Sequence, residues 1–262
     1  MTDTWTPGCS GHAGVSVPGC VPVALDVSAW TTVVVDFYDT VAEDAAPVPA
    51  LWEDLVALGY RGHPELQAMF EPDAFDGSLT PAAADEPQHQ EWLLENWRRM
   101  LVLCGVPDKH LGATLDHLLT LQRRWSAKAS PGAVDFITLL RDHGYKVALC
   151  SNWEDDIAPY LSQAGLPSFD AVVTSAEVGA RKPHRRIFEE VLARVGSRPE
   201  DCVFVGDNWD SDIVGALRVG MAAVWLRRDR ATRGLFPLVA EFDSILDLRE
   251  EFAGRLRERG LA

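Results

Sequence analysis

The stretch from Thr31 to Val41, TTVVVDFYDTV, constrains this chain more than any other. A β-branched run that stops on a carboxylate predicts a buried strand delivering Asp36 to the carboxyl edge of a sheet. Open α/β sheets bind their ligands along that edge. Many strands end on Asp only because it suits a turn, so the run gains meaning from its company further along the chain.

Beyond Pro131-Gly132 the chain alternates. The pattern predicts a helix over 133–143, a strand over 146–150, a helix over 155–164 and a short strand over 171–174. A helix started by Pro183 and running to Val195, a strand over 202–206, a helix over 210–219 and a strand over 222–226 complete the series, with a surface helix near 245–256. Such alternation predicts an α/β fold with a Rossmann-like parallel sheet and right-handed crossovers. Between Val41 and Ser130 the spacing is helical without a convincing strand. Residues 48–58, 90–103 and 108–125 carry apolar side chains three and four apart, and the proline-bearing stretch 71–88 reads as a loop. Trp52, Trp92, Trp97 and Trp125 are expected to pack inward.

Residues 1–28 carry Gly, Pro, Ser and Val without periodicity and read as a loosely ordered extension. The expected organisation is therefore that extension, an α/β core over 29–41 and 131–262, and a helical insertion over 42–130. Inserted directly after the first strand, those helices hang over the carboxyl edge as a lid.

A net charge of -15 argues against sequence-independent binding to nucleic acid or to an anionic membrane. No run of about 18 apolar residues predicts a membrane span. The five cysteines show neither metal spacing nor a disulfide framework. With no basic start and apolar centre of a secretion signal, the expected location is cytoplasmic, as a monomer or a homodimer.

The strand ends supply Asp36, Ser151-Asn152, Lys182 in the loop after the third strand, and Gly206-Asp207-Asn208 with Asp212 close behind. In a parallel sheet they share one edge. This ordered set resembles the four signature motifs of the haloacid dehalogenase (HAD) superfamily, and the insertion is similar to its C1-type helical cap, found in the phosphoglycolate phosphatase and L-2-haloacid dehalogenase branch. The resemblance covers about residues 31–250. It implies Asp36 as nucleophile, Ser151 and Lys182 on the oxygens of the reacting group, and Asp207 on Mg²⁺ together with Asp36 and the backbone carbonyl of Tyr38. Asp212 either orients Lys182 or a metal-bound water, or is simply an acid in the first turn of a helix. Thr40, Asn152 and Asn208 are candidate substrate contacts, with satisfaction of loop backbone the favoured alternative for the two asparagines. Trp153 and Trp209 either narrow the site or lie half-buried in its loops.

Phosphatases of the superfamily resemble Asp-x-Asp-x-Thr in the first motif, whose second Asp is the general acid and base. Here Tyr38 occupies that position and Asp39 the next, where glycine is common. A positioned acid or base is worth about 10²–10⁴ in rate, and an unperturbed tyrosine titrates near pKa ~10. Three functions stay open. One is a phosphatase whose leaving group needs little protonation, or in which Tyr38, Asp39 or a cap residue substitutes. The second is hydrolysis at carbon, as in the haloacid dehalogenases, whose first motif is similar in carrying Tyr. The third is a catalytically poor binding or regulatory protein. Asp207 favours the first: carboxylates crowded with Asp36 repel unless a cation bridges them, which suits Mg²⁺ and a small phosphorylated substrate.

Overall fold

A computed structural model of the chain describes residues 25–45, 55–60, 86–122, 126–153, 156–226 and 239–260. Six strands form one parallel sheet in the order β5-β4-β1-β6-β7-β8. They are β1 (Thr32–Val35), β4 (Lys146–Ser151), β5 (Ala171–Thr174), β6 (Cys202–Gly206), β7 (Ala222–Leu226) and β8 (Ala240–Phe242). β1 lies at the centre, paired with β4 on one side and β6 on the other.

Alternation along β1 explains why it reads as an unbroken apolar run. Val33 and Val35 enter one core layer and Val34 the opposite one, so both faces are dry. On the first face pack α3 (Ala133–Asp142) and α8 (Ile245–Glu258), whose Phe136 and Phe252 meet edge to face at 5.7 Å. On the second face α6 (Arg185–Val195) and α7 (Gly215–Arg218) bring Phe188 and Ala216 against Phe204. Cys150 and Cys202 are small buried core residues.

Two helices, α1 (Glu86–Leu103) and α2 (Asp108–Gln122), fall in the insertion and share a separate core of Leu55, Met100, Leu101, Cys104, Val106 and Leu115. Trp97 packs against it from a half-buried position. Of the helix expected over 48–58, only 55–57 is described as helical. Trp52, Trp125, most of the loop 71–88 and residues 1–24 lie outside the described residues.

The structure corrects several boundaries. The insertion is not strand-free: β2 (Ala42–Asp44) and β3 (Ala127–Ala129) pair antiparallel where the chain leaves and rejoins the core. Residues 86–88 belong to α1 rather than a loop. Leu25 and Val27 are buried in the main core, so the extension gives way to packed chain before residue 28. Pro183 does not open α6. The Lys182–Pro183 bond is cis, and His184 caps the helix with Nδ1 accepting from Arg186 N–H. The expected helix over 210–219 begins as a wider π-type turn, Trp209–Val214, before α7. Two short helices, α4 (Ala158–Gln163) and α5 (Ser175–Val178), and a 3-10 turn over Pro199–Asp201 also lie in this region.

Candidate active site

The register of the three central strands brings the sequence-predicted residues together. Val35 stands level with Leu149 of β4 and Val205 of β6, so Asp36, Ser151 and Asp207 emerge side by side at the carboxyl edge. Asp36 N–H donates to Val205 O at 2.9 Å, which continues the ladder one residue past β1 and fixes the direction of the carboxylate.

Lys182 ties the site together. Its ammonium donates to Asp36 Oδ1 at 2.7 Å and to Asp212 Oδ1 at 2.6 Å, and only 2% of the residue is exposed. Burial by itself would discharge this lysine, yet Asp212 and Asp36 outweigh burial and hold its pKa above the ordinary range. Its ammonium also lies 5.3 Å from the centre of the Phe204 ring, the floor beneath the site. Asn152 holds the loop that carries it: Lys182 N–H donates to Asn152 Oδ1 at 2.7 Å, and Asn152 Nδ2 donates back to Lys182 O at 3.2 Å. Asn152 thus satisfies loop backbone, the second of its two expected roles.

Asp212 stands in the first turn after Asn208 and also orients Lys182, so both of its expected readings meet in one residue. It is buried, and besides Lys182 it accepts from Asn208 N–H at 3.1 Å and Ser211 Oγ at 3.2 Å. Gly206 makes this possible: a Cβ there would stand 2.2 Å from Asp212 Oδ2. Asn208 caps the following turn, its Oδ1 accepting from Ser211 N–H at 2.9 Å. Thr40 is buried with its hydroxyl donating to Asp207 Oδ1 at 3.3 Å, which places it behind a carboxylate rather than on open site surface. Ser151 is buried at the tip of β4.

Three carboxylates, Asp36, Asp207 and Asp212, place oxygens within 4.8 Å of one another. Burial first, then Asp212, Asp36 and Asp39, pushes the Asp207 carboxyl up to about 8, with Lys182 opposing. Asp212 is pushed up to about 7 by burial, against the pull of Lys182, with Asp36 adding to the rise. One lysine does not neutralise three carboxylates, so this oxygen-only cluster suits a hard dication such as Mg²⁺.

Tyr38, two residues past Asp36, donates its hydroxyl to Asp44 Oδ2 of β2 at 3.1 Å. Asp39 takes the left-handed conformation, φ 59°, with its N–H bonded to Ala42 O at 2.8 Å. Asp residues tolerate that region, which is why it can stand where glycine is common. Trp153 is half-buried, edge-on to Phe37 and Tyr160 at 5.2 Å each. Trp209 packs on Trp225 at 4.7 Å.

Sequence reasoning missed Gly206 as the clearance for Asp212, Ser211 as its donor, and Trp225, whose indole donates to Asp207 O at 2.7 Å. Gly206 and Ser211 sit within a motif visible in the sequence. Trp225 lies on another strand and carries no local signal.

Comparison with known proteins places the chain in a family and a fold. The model of the family described as haloacid dehalogenase-like hydrolase matches residues 30–220. Glyceraldehyde 3-phosphate phosphatase of Methanothermobacter thermautotrophicus is 41% identical over 101 residues, 36% of this chain and 42% of that protein. Phosphoserine phosphatase of Thermus thermophilus is 38% identical over 124 residues, 47% of this chain and 49% of that protein. The chain spans less than half the length of these two curated relatives. Among solved structures, the Bacillus subtilis HAD-hydrolase YfnB bound to magnesium superposes with a TM-score of 0.60 at 18% identity, covering 86% of this chain and 99% of that one. At that identity the likeness is one of fold.

Proposed function

The chain belongs to the haloacid dehalogenase-like hydrolase family, and on that premise we propose that it hydrolyses a small phosphate monoester with the help of Mg²⁺, using Asp36 as nucleophile. The observation that carries this reading is the buried lysine shared by Asp36 and Asp212, with Asp207 beside them. Phosphatase relatives support a phosphorylated substrate.

An Asp36 carboxylate oxygen attacks phosphorus, and the bond from phosphorus to the leaving oxygen breaks, giving an aspartyl phosphate and an alcohol once that oxygen gains a proton. Water then attacks the same phosphorus, returning Asp36 as carboxylate and releasing inorganic phosphate. Lys182 holds Asp36 in one orientation and places a fixed positive charge beside the equatorial oxygens. The Ser151 hydroxyl, at the adjacent strand tip, contacts a phosphoryl oxygen. Asp36, the Tyr38 carbonyl, Asp207 and Asp212 are the groups that would hold Mg²⁺, Asp212 directly or through a water. Bound there, the ion supplies the charge neutralisation that a dianionic phosphoryl group requires. The helical insertion acts as the cap that closes over this edge and selects the substrate.

Tyr38 favours a leaving group that departs with little protonation, because its hydroxyl is engaged by Asp44. Purified protein is expected to hydrolyse p-nitrophenyl phosphate only with Mg²⁺, and Asp36→Asn to abolish phosphate release. Metal-independent release of halide from a 2-haloacid would replace this reading with hydrolysis at carbon. Failure of both reactions in a protein that binds Mg²⁺ would point to a binding role.

A further inference from the structure

We propose that Trp225 is a positioning residue for the carboxylate cluster, its indole N–H fixing the peptide between Asp207 and Asn208 and thereby the two carboxylates on either side of it. The inference rests on the Mg²⁺ reading above and extends it to a residue outside the four motifs.

The geometry is specific. Trp225 stands beside Gly206 in the parallel register of β6 and β7. From there its Nε1–H reaches Asp207 O at 2.7 Å, just past the end of β6. The same peptide unit supplies the Asn208 N–H, which donates to Asp212 Oδ2 at 3.1 Å. Carbonyl and N–H of a trans peptide point to opposite sides, so drawing the carbonyl toward Trp225 aims the N–H at Asp212. The tether therefore extends from Trp225 through that peptide to Asp212, and from there to Lys182 and Asp36. It also sets the Cα from which the Asp207 side chain projects toward Thr40. The indole has little freedom of its own, since it packs on Trp209 in a small apolar cluster with Ile213, Ala223 and Val239. Residues behind the groups that hold a metal commonly change its affinity 10–100-fold when removed.

The test compares wild type, Trp225→Phe and Trp209→Phe by calorimetric titration with Mg²⁺ and by thermal unfolding without metal. Trp225→Phe keeps an aromatic ring against Trp209 but loses the N–H, and is expected to bind Mg²⁺ at least ~10-fold more weakly. Trp209→Phe shrinks the ring partner and leaves the Trp225 N–H, and is expected to bind Mg²⁺ as wild type does. If both variants lower the metal-free Tm while leaving Mg²⁺ affinity unchanged, Trp225 only packs and the proposal fails. Should Trp225→Phe not fold, the wild-type indole N–H resonance, assigned through its proximity to Trp209, is expected to shift on Mg²⁺ addition with the calorimetric midpoint; a resonance unmoved at saturation overturns the proposal. Wild type that takes up no Mg²⁺ removes the metal reading itself, an outcome distinct from equal binding by wild type and Trp225→Phe.

Discussion

At the scale of single residues, Lys182 decides whether the site exists. A fully buried ammonium is tolerable only with its charge matched and its protons accepted, and Asp36 and Asp212 meet both demands. The reverse also holds: without Lys182, two buried carboxylates face Asp207 with no cation among them. Removing one partner from a buried ion pair costs about 3–5 kcal/mol, whereas replacing the whole set with apolar groups often costs little. Lys182→Met, similar in length and apolar, is therefore expected to lower metal-free stability by about 3 kcal/mol in urea unfolding, with the loss reduced as the stranded carboxylates take up protons at lower pH. Phosphate release is expected to fall far more than stability, because the variant lacks the positive charge beside the nucleophile even when Mg²⁺ is saturating. A variant with wild-type turnover would show that Lys182 is structural alone.

At the scale of elements, the site depends on how closely β6 approaches the turn after it. Gly206 ends β6 with the Asp212 carboxylate where a side chain would stand, so only glycine lets the chain fold back so tightly. Gly206→Ala is expected to push Asp212 off Lys182, cost about 1–3 kcal/mol of stability by overpacking, and weaken Mg²⁺ binding measured by calorimetry. The same elements show what a sequence reveals. β1, β4 and β6 are legible because burial on both faces turns a strand into an apolar run, and because a polar residue at or just past the end of each has its role set by the edge. β2, β3 and β8 are not, since each has three residues and none alternates long enough to carry a period. Asp36 and Asp207 can be nominated from their places at strand ends, and Lys182, beyond α5 in the connection after β5, from the ordered motif set it completes. Which groups Thr40 and Asn152 bond cannot, because each partner depends on which loop lies across from it, a tertiary fact, whereas Asn208 caps Ser211 three residues on, a local bond within reach of its loop-backbone reading. Tyr38 is the intermediate case: its position is plain from its offset to Asp36, but its Asp44 partner lies on a strand too short to foresee.

At the scale of the molecule, a strongly acidic chain concentrates three carboxylates at the centre of its own sheet edge. Folding there works against ionisation, since Asp207 and Asp212 are raised to about 8 and about 7 from an ordinary 3.8. In the metal-free protein the folded state holds these protons more tightly than the unfolded chain does. Their contribution to stability is thus complete below about pH 4 and is lost as pH rises through about 7 and 8. A dication that binds the ionised site acts in the opposite sense, because protons compete with it and their competition fades over the same window. Two thermal-unfolding series from pH 5 to 8, one with chelator and one with Mg²⁺, are therefore expected to diverge. The Tm with chelator falls toward pH 8, while the Mg²⁺ increment, small near pH 5, grows with each step upward. Asp207→Asn removes the group whose pKa is raised furthest, so it is expected to flatten the chelator series and to shrink the Mg²⁺ increment at pH 8. A Mg²⁺ increment independent of pH would mean that the ion binds elsewhere, away from the carboxylates that burial has left protonated.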